Sequence, residues 1–336
     1  MRMRRTAATL VAAVLLALTP GAAHAAGSTP SPAPLAALGI RLTEIPASEQ
    51  NDPRARLYVI DHVAPGATIT RRIEVSNTGD PLLPARLYSA GASISGGTFL
   101  GAPGHTADSL SSWTFVAPGR IDVPGHSAVG ASVTIAVPGD AAPGEHYAVI
   151  WAETGGPAAG VAGGVAVVNR VGIRIYLSVG PGGAPEAAFT IDSMTAERDS
   201  TGRPVVIASV HNSGGRALDM SGTLRLGGGP AGLSAGPFPA ELGTTLAPGD
   251  TEPVTFTLDE RLPAGPWDAV ITLRSGEVEE TATATISFPT AGVSPAVPAV
   301  GLLDRTGWLL TALCVLVLVA LLILWARRRT RRPAPA

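Results

Sequence analysis

Apolar and polar residues alternate one by one along much of this chain. Ile69, Ile73 and Val75 alternate with Thr70, Arg72 and Glu74, and Arg71 interrupts the apolar face. Val133, Ile135 and Val137 alternate with Ser132, Thr134 and Ala136. The longest run sets Val171, Ile173, Ile175, Leu177 and Val179 against Gly172, Arg174, Tyr176 and Ser178. Val254, Phe256 and Leu258 alternate with Thr255 and Thr257, and Ile286 and Phe288 close a run shared with Thr281, Thr283, Thr285 and Ser287. Successive strand side chains point to opposite faces, so each run predicts a strand with one face for a core and one for water. Pro-Gly pairs at 65–66, 118–119, 124–125, 138–139, 143–144 and 248–249 mark turns between them. Many short strands with regular turn signals predict an all-β protein built from β-sandwiches.

The pattern repeats. Val75-Ser76-Asn77-Thr78-Gly79 is echoed by Val210-His211-Asn212-Ser213-Gly214. Val123-Pro124-Gly125 precedes the Val133 strand as Ala247-Pro248-Gly249 precedes the Val254 strand. Pro143-Gly144-Glu145-His146-Tyr147 leads into Ala148-Val149-Ile150, and Ala264-Gly265-Pro266-Trp267 leads into Ala269-Val270-Ile271. Three matches in one order predict two immunoglobulin-like β-sandwich domains, over 38–182 and 185–289.

The two ends read differently. Residues 1–25 have a basic start, an apolar run from Ala7 to Leu18 and a small-x-small site at Ala23-His24-Ala25, the pattern of a signal peptide. Residues 26–37 form a Pro/Ser/Ala linker, and 290–306 a Pro-rich stalk expected to be extended. Residues 307–326 are long and apolar enough to predict one C-terminal transmembrane helix, with the basic tail 327–336 on the cytoplasmic side. The expected placement is a single-pass cell-membrane protein with both sandwiches outside. Phe288-Pro289-Thr290-Ala291-Gly292 faintly resembles a sortase sorting signal, an anchoring alternative that stays open.

Composition narrows the partners. All 24 basic residues are arginine, which with abundant Ala, Gly and Pro points to a GC-rich bacterial genome. Between signal and tail, 16 arginines face 26 acids, a formal charge of −10, so nucleic acid is not an expected partner. Over 185–288 six arginines face fourteen acids, a formal −8 that would steer a basic protein or keep the domain soluble. The only cysteine, Cys314, falls in the predicted span, so the exported part has no disulfide.

Several of these segments together resemble the WxL-interacting protein family. They are Tyr58-Val59-Ile60 before a Pro-Gly turn, the strand to Asn77-Thr78-Gly79, and Trp113-Thr114-Phe115 leading through Ile121-Asp122-Val123-Pro124. Pro143-Gly144-Glu145-His146-Tyr147 and Val168-Asn169-Arg170 follow in the same layout. The resemblance implies a Gram-positive, actinobacterial-type cell-surface protein. Its first domain would bind peptidoglycan or another cell-wall glycan, and its second a surface protein partner. The implied function is a scaffold between membrane and wall; the alternative is an accessory or sensor subunit of a membrane complex, with the sandwiches as spacers.

No chemistry of an enzyme is legible. His62, His105, His126, His146 and His211 make no zinc-binding spacing, and no Gly-x-Ser-x-Gly elbow accompanies the serines near His105 and Asp108. Glu277, Glu279 and Glu280 read as a solvated hairpin end, and Gly227-Gly228-Gly229 lacks the Lys-Ser/Thr of a phosphate loop. No cofactor or metal is implied. What remains is a binding surface, because Tyr58, Tyr88, Trp113, Tyr147, Trp151 and Tyr176 all fall in the first domain. Trp113 and Trp151, flanked by apolar residues, are expected in the core. Tyr176 lies by parity opposite Ile173 and Ile175, on the face of Arg170 and Arg174. The candidate ligand-binding residues are therefore Tyr58, Tyr88, Arg170, Arg174 and Tyr176, as an exposed patch for an anionic polymer.

Overall fold

A computed structural model describes residues 38–156 and 167–301. The proposed signal peptide (1–25), linker (26–37), membrane span (307–326) and basic tail (327–336) lie outside the described residues.

Residues 38–179 contribute, in chain order, β1 (Leu38–Leu42), β2 (Val59–Val63), β3 (Thr68–Asn77), β4 (Leu83–Ser95) and β5 (Thr98–Gly101). A short helix, α1 (Ser109–Trp113), precedes β6 (Thr114–Ala117), β7 (Arg120–Val123), β8 (Ser127–Ala136), β9 (Gly144–Gly156) and β10 (Val167–Val179). They form a four-stranded sheet, β1-β3-β8-β6, and a six-stranded one, β2-β10-β9-β4-β5 with β7 on the side of β4. β2 runs parallel to β10, and the other pairings in these sheets are antiparallel. Alternation decides what lies between the sheets. Ile73, Val75, Val133 and Ile135 meet Leu87, Ile150, Ile173 and Ile175 in one core. Each such side chain contributes about 1.5–3 kcal/mol by leaving water. Arg71, the interruption on the apolar face of β3, is held there by Asp61 of β2, whose two carboxylate oxygens each lie 2.6 Å from its guanidinium. Burial pushes the Asp61 carboxyl above the usual carboxylate range, and Arg71 pulls it part of the way back.

Residues 189–301 form further sheets from β11 (Phe189–Arg198), β12 (Pro204–Asn212), β13 (Leu218–Asp219), β14 (Ser221–Gly227), β15 (Ala235–Pro239) and β16 (Thr245–Leu246). They continue with β17 (Thr251–Thr257), β18 (Trp267–Ser275), β19 (Val278–Ile286), β20 (Gly292–Val293), β21 (Val297–Pro298) and β22 (Val300–Gly301). The strand orders are β17-β12-β11-β20, with β21 also on β11, and β15-β14-β18-β19-β22; β13 pairs β16. Their core gathers Met194, Leu224, Phe256, Trp267 and Ile271. The architecture is all-β, with sheets packed in sandwich fashion over two cores.

Both halves use one turn. Asn77 Nδ2 donates to the Pro81 and Val123 carbonyls while its Oδ1 accepts from the Gly79 N–H. Asn212 Nδ2 donates to Arg216 and Leu246 carbonyls and its Oδ1 accepts from the Gly214 N–H. Both amides are buried, at 1% and 0% exposure. An Asn side chain can close a turn on the backbone two residues on, and here its amide also binds a carbonyl four residues on and one on a distant strand.

The expected stalk needs correcting over its first part. Residues 292–301 lie against the sheets of residues 189–286: Val293 pairs Glu197 and Val297 pairs Met194, both on β11, whereas Val300 pairs Thr283 on β19. The Ser294 and Ala299 N–H groups donate to Ala196 and Asp192. β11 and β19 would otherwise leave unpaired edges side by side, and this segment satisfies both.

Candidate functional site

The outward face of the six-stranded sheet carries two clusters, and the strand register decides which residues meet. On β10 the even-numbered residues face away from the first core, on β9 the odd ones, and on β4 the even ones.

At one end this face meets residues of the second half. Tyr176 packs with Phe99, Tyr147 and Tyr58 at ring separations of 5.2, 5.9 and 5.7 Å. Arg174 lies over the Phe99 and Tyr58 rings, 4.8 and 5.2 Å from their centres. The charge is taken up by Asp219 on β13. Its Oδ1 accepts from Arg174, Tyr176 and Thr245, each at 2.9 Å, and its Oδ2 lies 3.8 Å from Arg54. Arg54 also chelates Asp52 and donates to the Ala217 carbonyl. The Thr245 N–H donates to the Gly97 carbonyl, a backbone bond between the halves. Tyr176 is 3% exposed, and burial together with the facing Asp219 charge drives its hydroxyl pKa upward. The sequence reading of parity for Tyr176 holds. The exposed patch it implied does not, because Ala217 and Asp219 cover Tyr176 and neutralise Arg174. Tyr58 belongs to the same half-buried cluster.

Glu145 completes this junction, accepting from the Tyr147 hydroxyl and the Ala217 N–H at 2.7 Å each. Burial pushes its carboxyl above the ordinary range, and those two donors partly oppose the shift. The folded chain therefore holds this proton more tightly than the unfolded chain. Its stabilisation is full below the ordinary glutamate range and is lost as pH rises through the raised folded value. Glu145→Gln, which keeps an oxygen for both donors, is expected to flatten the difference between melting temperatures at about pH 5 and about pH 8. An unchanged difference would show that Glu145 does not carry the effect.

The other end of the face is open. Register places Arg120 opposite Arg86, Arg86 opposite Glu153, and Glu153 opposite Arg170, a row across β7, β4, β9 and β10. The three arginines are exposed, and no described carboxylate lies within ion-pair distance of them. One position along, Tyr88 lies opposite Trp151, and Trp151 opposite Gly172. A Cβ at Gly172 would come within 2.7 Å of the indole, so glycine lets the ring lie flat across β10. Arg170 sits 4.4 Å above that ring. Tyr88 donates to Glu153 at 2.6 Å and stacks on His105 at 3.8 Å. Burial, with the Glu153 bond next, raises the Tyr88 hydroxyl pKa. Trp151 lies on the outward face rather than in the first core: half-buried, it packs against the smaller core cluster of Ile60, Phe99, Val149, Tyr176 and Ala217, with its Nε1 buried and unpartnered. Trp113 does pack against the first core. A cleft of about 520 Å³ opens beside the row, lined by Pro84, Arg86, Arg120, Asp122, Glu153 and Gly155.

Of the predicted residues the structure thus groups Tyr58, Arg174 and Tyr176 in the closed junction, and Tyr88 and Arg170 in the open face. Arg86, Arg120, Glu153 and His105 were missed. No group of His, Cys, Asp or Glu among the described residues could hold a metal ion.

No protein-family model and no curated protein matches the chain. Among solved structures it is similar to the YadV chaperone, at 12% identity and TM-score 0.39 over 74% of this chain and 99% of that one. It is also similar to a Salmonella enterica SafA pilin in complex with the SafB chaperone, at 9% identity and TM-score 0.38 over 79% and 96%. The CupB2 chaperone of Pseudomonas aeruginosa follows, at 11% identity and TM-score 0.37 over 68% and 97%. Fold and site together define an all-β protein of packed sheets. The expected wall-linking scaffold is withdrawn, because three of the five residues meant to face the anionic wall polymer, Tyr58, Arg174 and Tyr176, lie in the junction closed by Ala217 and Asp219. The single-pass membrane placement is withdrawn with it. No described helix is long and apolar enough to cross a membrane, and 307–326 lies outside the described residues.

Proposed function

We propose that this chain is a non-enzymatic recognition protein, with two immunoglobulin-like sandwiches joined as one body, that holds a partner protein on the outward face of the six-stranded sheet. The observation that carries the reading is the row of exposed Arg120, Arg86 and Arg170, none within ion-pair distance of a described carboxylate although Glu153 stands among them, beside half-buried Tyr88 and Trp151. Arginine with tyrosine and tryptophan is the side-chain set that dominates protein interfaces, since each combines a large apolar surface with a polar edge. Of the other arginines in this half, Arg41 pairs with Glu74, Arg71 with Asp61 and Arg174 with Asp219, whereas exposed Arg56 makes no described ion pair.

A photo-crosslinking residue at Val168, 51% exposed on the same face, is expected to capture a protein in cells that make the full chain. The same residue at Leu242, 87% exposed in the second half, serves as the control. The adduct at 168 should vanish in the triple variant Arg86→Glu, Arg120→Glu, Arg170→Glu. Equal adducts at both positions, or an adduct that survives the triple variant, would refute the reading.

A further inference from the structure

We infer that the junction between the halves is a proton-controlled clasp, closed while Glu145 carries a proton and loosened when the proton leaves. Glu49 pairs with Arg216 at 3.4 Å, Asp52 with Arg54 at 2.8 Å and Asp219 with Arg174 at 2.9 Å. Three carboxylates are thus matched by three guanidinium groups. Glu145 is the fourth carboxylate of the contact, and no described cation lies within ion-pair distance of it. Its Oε2 accepts instead from two uncharged donors, the Tyr147 hydroxyl and the Ala217 N–H. Ionised, Glu145 leaves the contact with one negative charge in excess, in surroundings that burial keeps from water. Protonated, it still offers one oxygen to both donors, and the excess is gone.

The bond to Ala217 ties this proton to both halves. Glu145 lies on β9, and Ala217 just before β13. Ala217 is 2% exposed, and first-half side chains hold both of its backbone polar groups: Glu145 takes the N–H, and Arg54 donates to the carbonyl. Charge appearing at this grip is relieved when the halves part and water enters. The other charged or titrating groups around it come from four sides. Glu49, Asp52 and Arg54 precede β2, and Arg174 and Tyr176 come from β10. Arg216 and Asp219 come from the second half, and Asp250 acts on Tyr147 from the same side. His62 of β2 lies two strands from Glu145, bonded at 3.2 Å to Ser178, which stands opposite both in the register. Arg216 and Arg54 favour the ionised carboxylate, but burial opposes it more strongly. The closed junction therefore holds the proton more tightly than the open one. Opening is rarest below the ordinary glutamate range, grows as pH rises above it and levels off at the raised value of the closed state.

The test is amide hydrogen exchange of the full chain from about pH 4 to about pH 8, each rate divided by the chemical rate at that pH. The Ala217 amide reads the bond to Glu145 itself. The Thr245 amide, bonded to the Gly97 carbonyl, reads whether the halves part, and the Ile271 amide, inside the second core, is the control. Opening at Ala217 and Thr245 is expected to grow together by up to about tenfold per pH unit, the limit for one proton, while Ile271 stays flat. Glu145→Gln should remove the rise at both positions. Tyr147→Phe deletes a donor that favours the ionised form, so its rise should run to a higher pH before levelling. His62→Gln, which removes the other titrating group of the row, should leave the rise in place. A flat profile in the native chain, a rise at Ala217 alone, or a rise that survives Glu145→Gln would each overturn the inference. So would an unmoved profile in Tyr147→Phe, which decides the matter even if Glu145→Gln fails to fold, or loss of the rise in His62→Gln.

Discussion

Replacing Asp219 with alanine is expected to cost about 3–5 kcal/mol, the usual penalty for leaving buried charges without their partner. One carboxylate oxygen serves Arg174, Tyr176 and Thr245, and the other faces Arg54. Alanine would strand the Arg174 guanidinium in the junction, leave Arg54 to Asp52 alone, and leave the Tyr176 hydroxyl with only Arg174 beside it. Asp219→Asn keeps an oxygen for the three donors but removes the charge, so its cost should be smaller. The measurement is urea unfolding paired with hydrogen exchange at the Thr245 amide, which is bonded to Gly97 across the junction. In the native protein both should report one transition. In Asp219→Ala, Thr245 should exchange well before the strands on either side open. A loss below about 1 kcal/mol would mean that the pair network contributes no more than a surface ion pair.

Asn212→Ala is expected to be nearly as damaging, at about 3 kcal/mol. It removes both donors to Arg216 and Leu246 carbonyls and the acceptor for Gly214, inside a site of 0% exposure. Each buried group left unpaired costs about 1–3 kcal/mol, and partial entry of water keeps the sum below the maximum. Asn212→Asp should be worse, because a carboxylate would then confront two carbonyl oxygens. Asn77→Ala removes the same three bonds from the equivalent turn and should match it. Chemical denaturation of the two single variants and the double variant checks this. The losses should add, since the two turns share no partner. If either alanine variant unfolds within about 1 kcal/mol of the native protein, the amide is not holding its turn.

These two networks also show what the chain discloses before its structure. The repeat that carries the asparagine turns was legible because Val, Asn and Gly recur at matching places 135 residues apart, in Val75–Gly79 and Val210–Gly214, whereas the partners Val123 and Leu246 were not. The β10 alternation likewise put Tyr176 on the face away from Ile173 and Ile175. What covers that face was not legible, because Asp219 and Ala217 come from a distant segment with no periodicity of its own. Arg71 looked like a defect in β3 until Asp61 supplied its partner from β2. The open face was half legible for a related reason. Tyr88 and Arg170 stood out as residue types, but Arg86 and Arg120 gain their meaning only from strand register, which local alternation does not encode. The stalk was misread because prolines and glycines mark both free linkers and irregular edge strands, and only the bare edges of β11 and β19 decide between them.

The return of residues 292–301 across two sheets alters how the molecule would respond to being pulled. Tension arriving from beyond Gly301 would not meet a slack tether. It would first peel Val300 and Gly301 from β19, then Val297 and Val293 from β11, one short pairing after another. Under such a load these short pairings would open in turn before the sheets behind them.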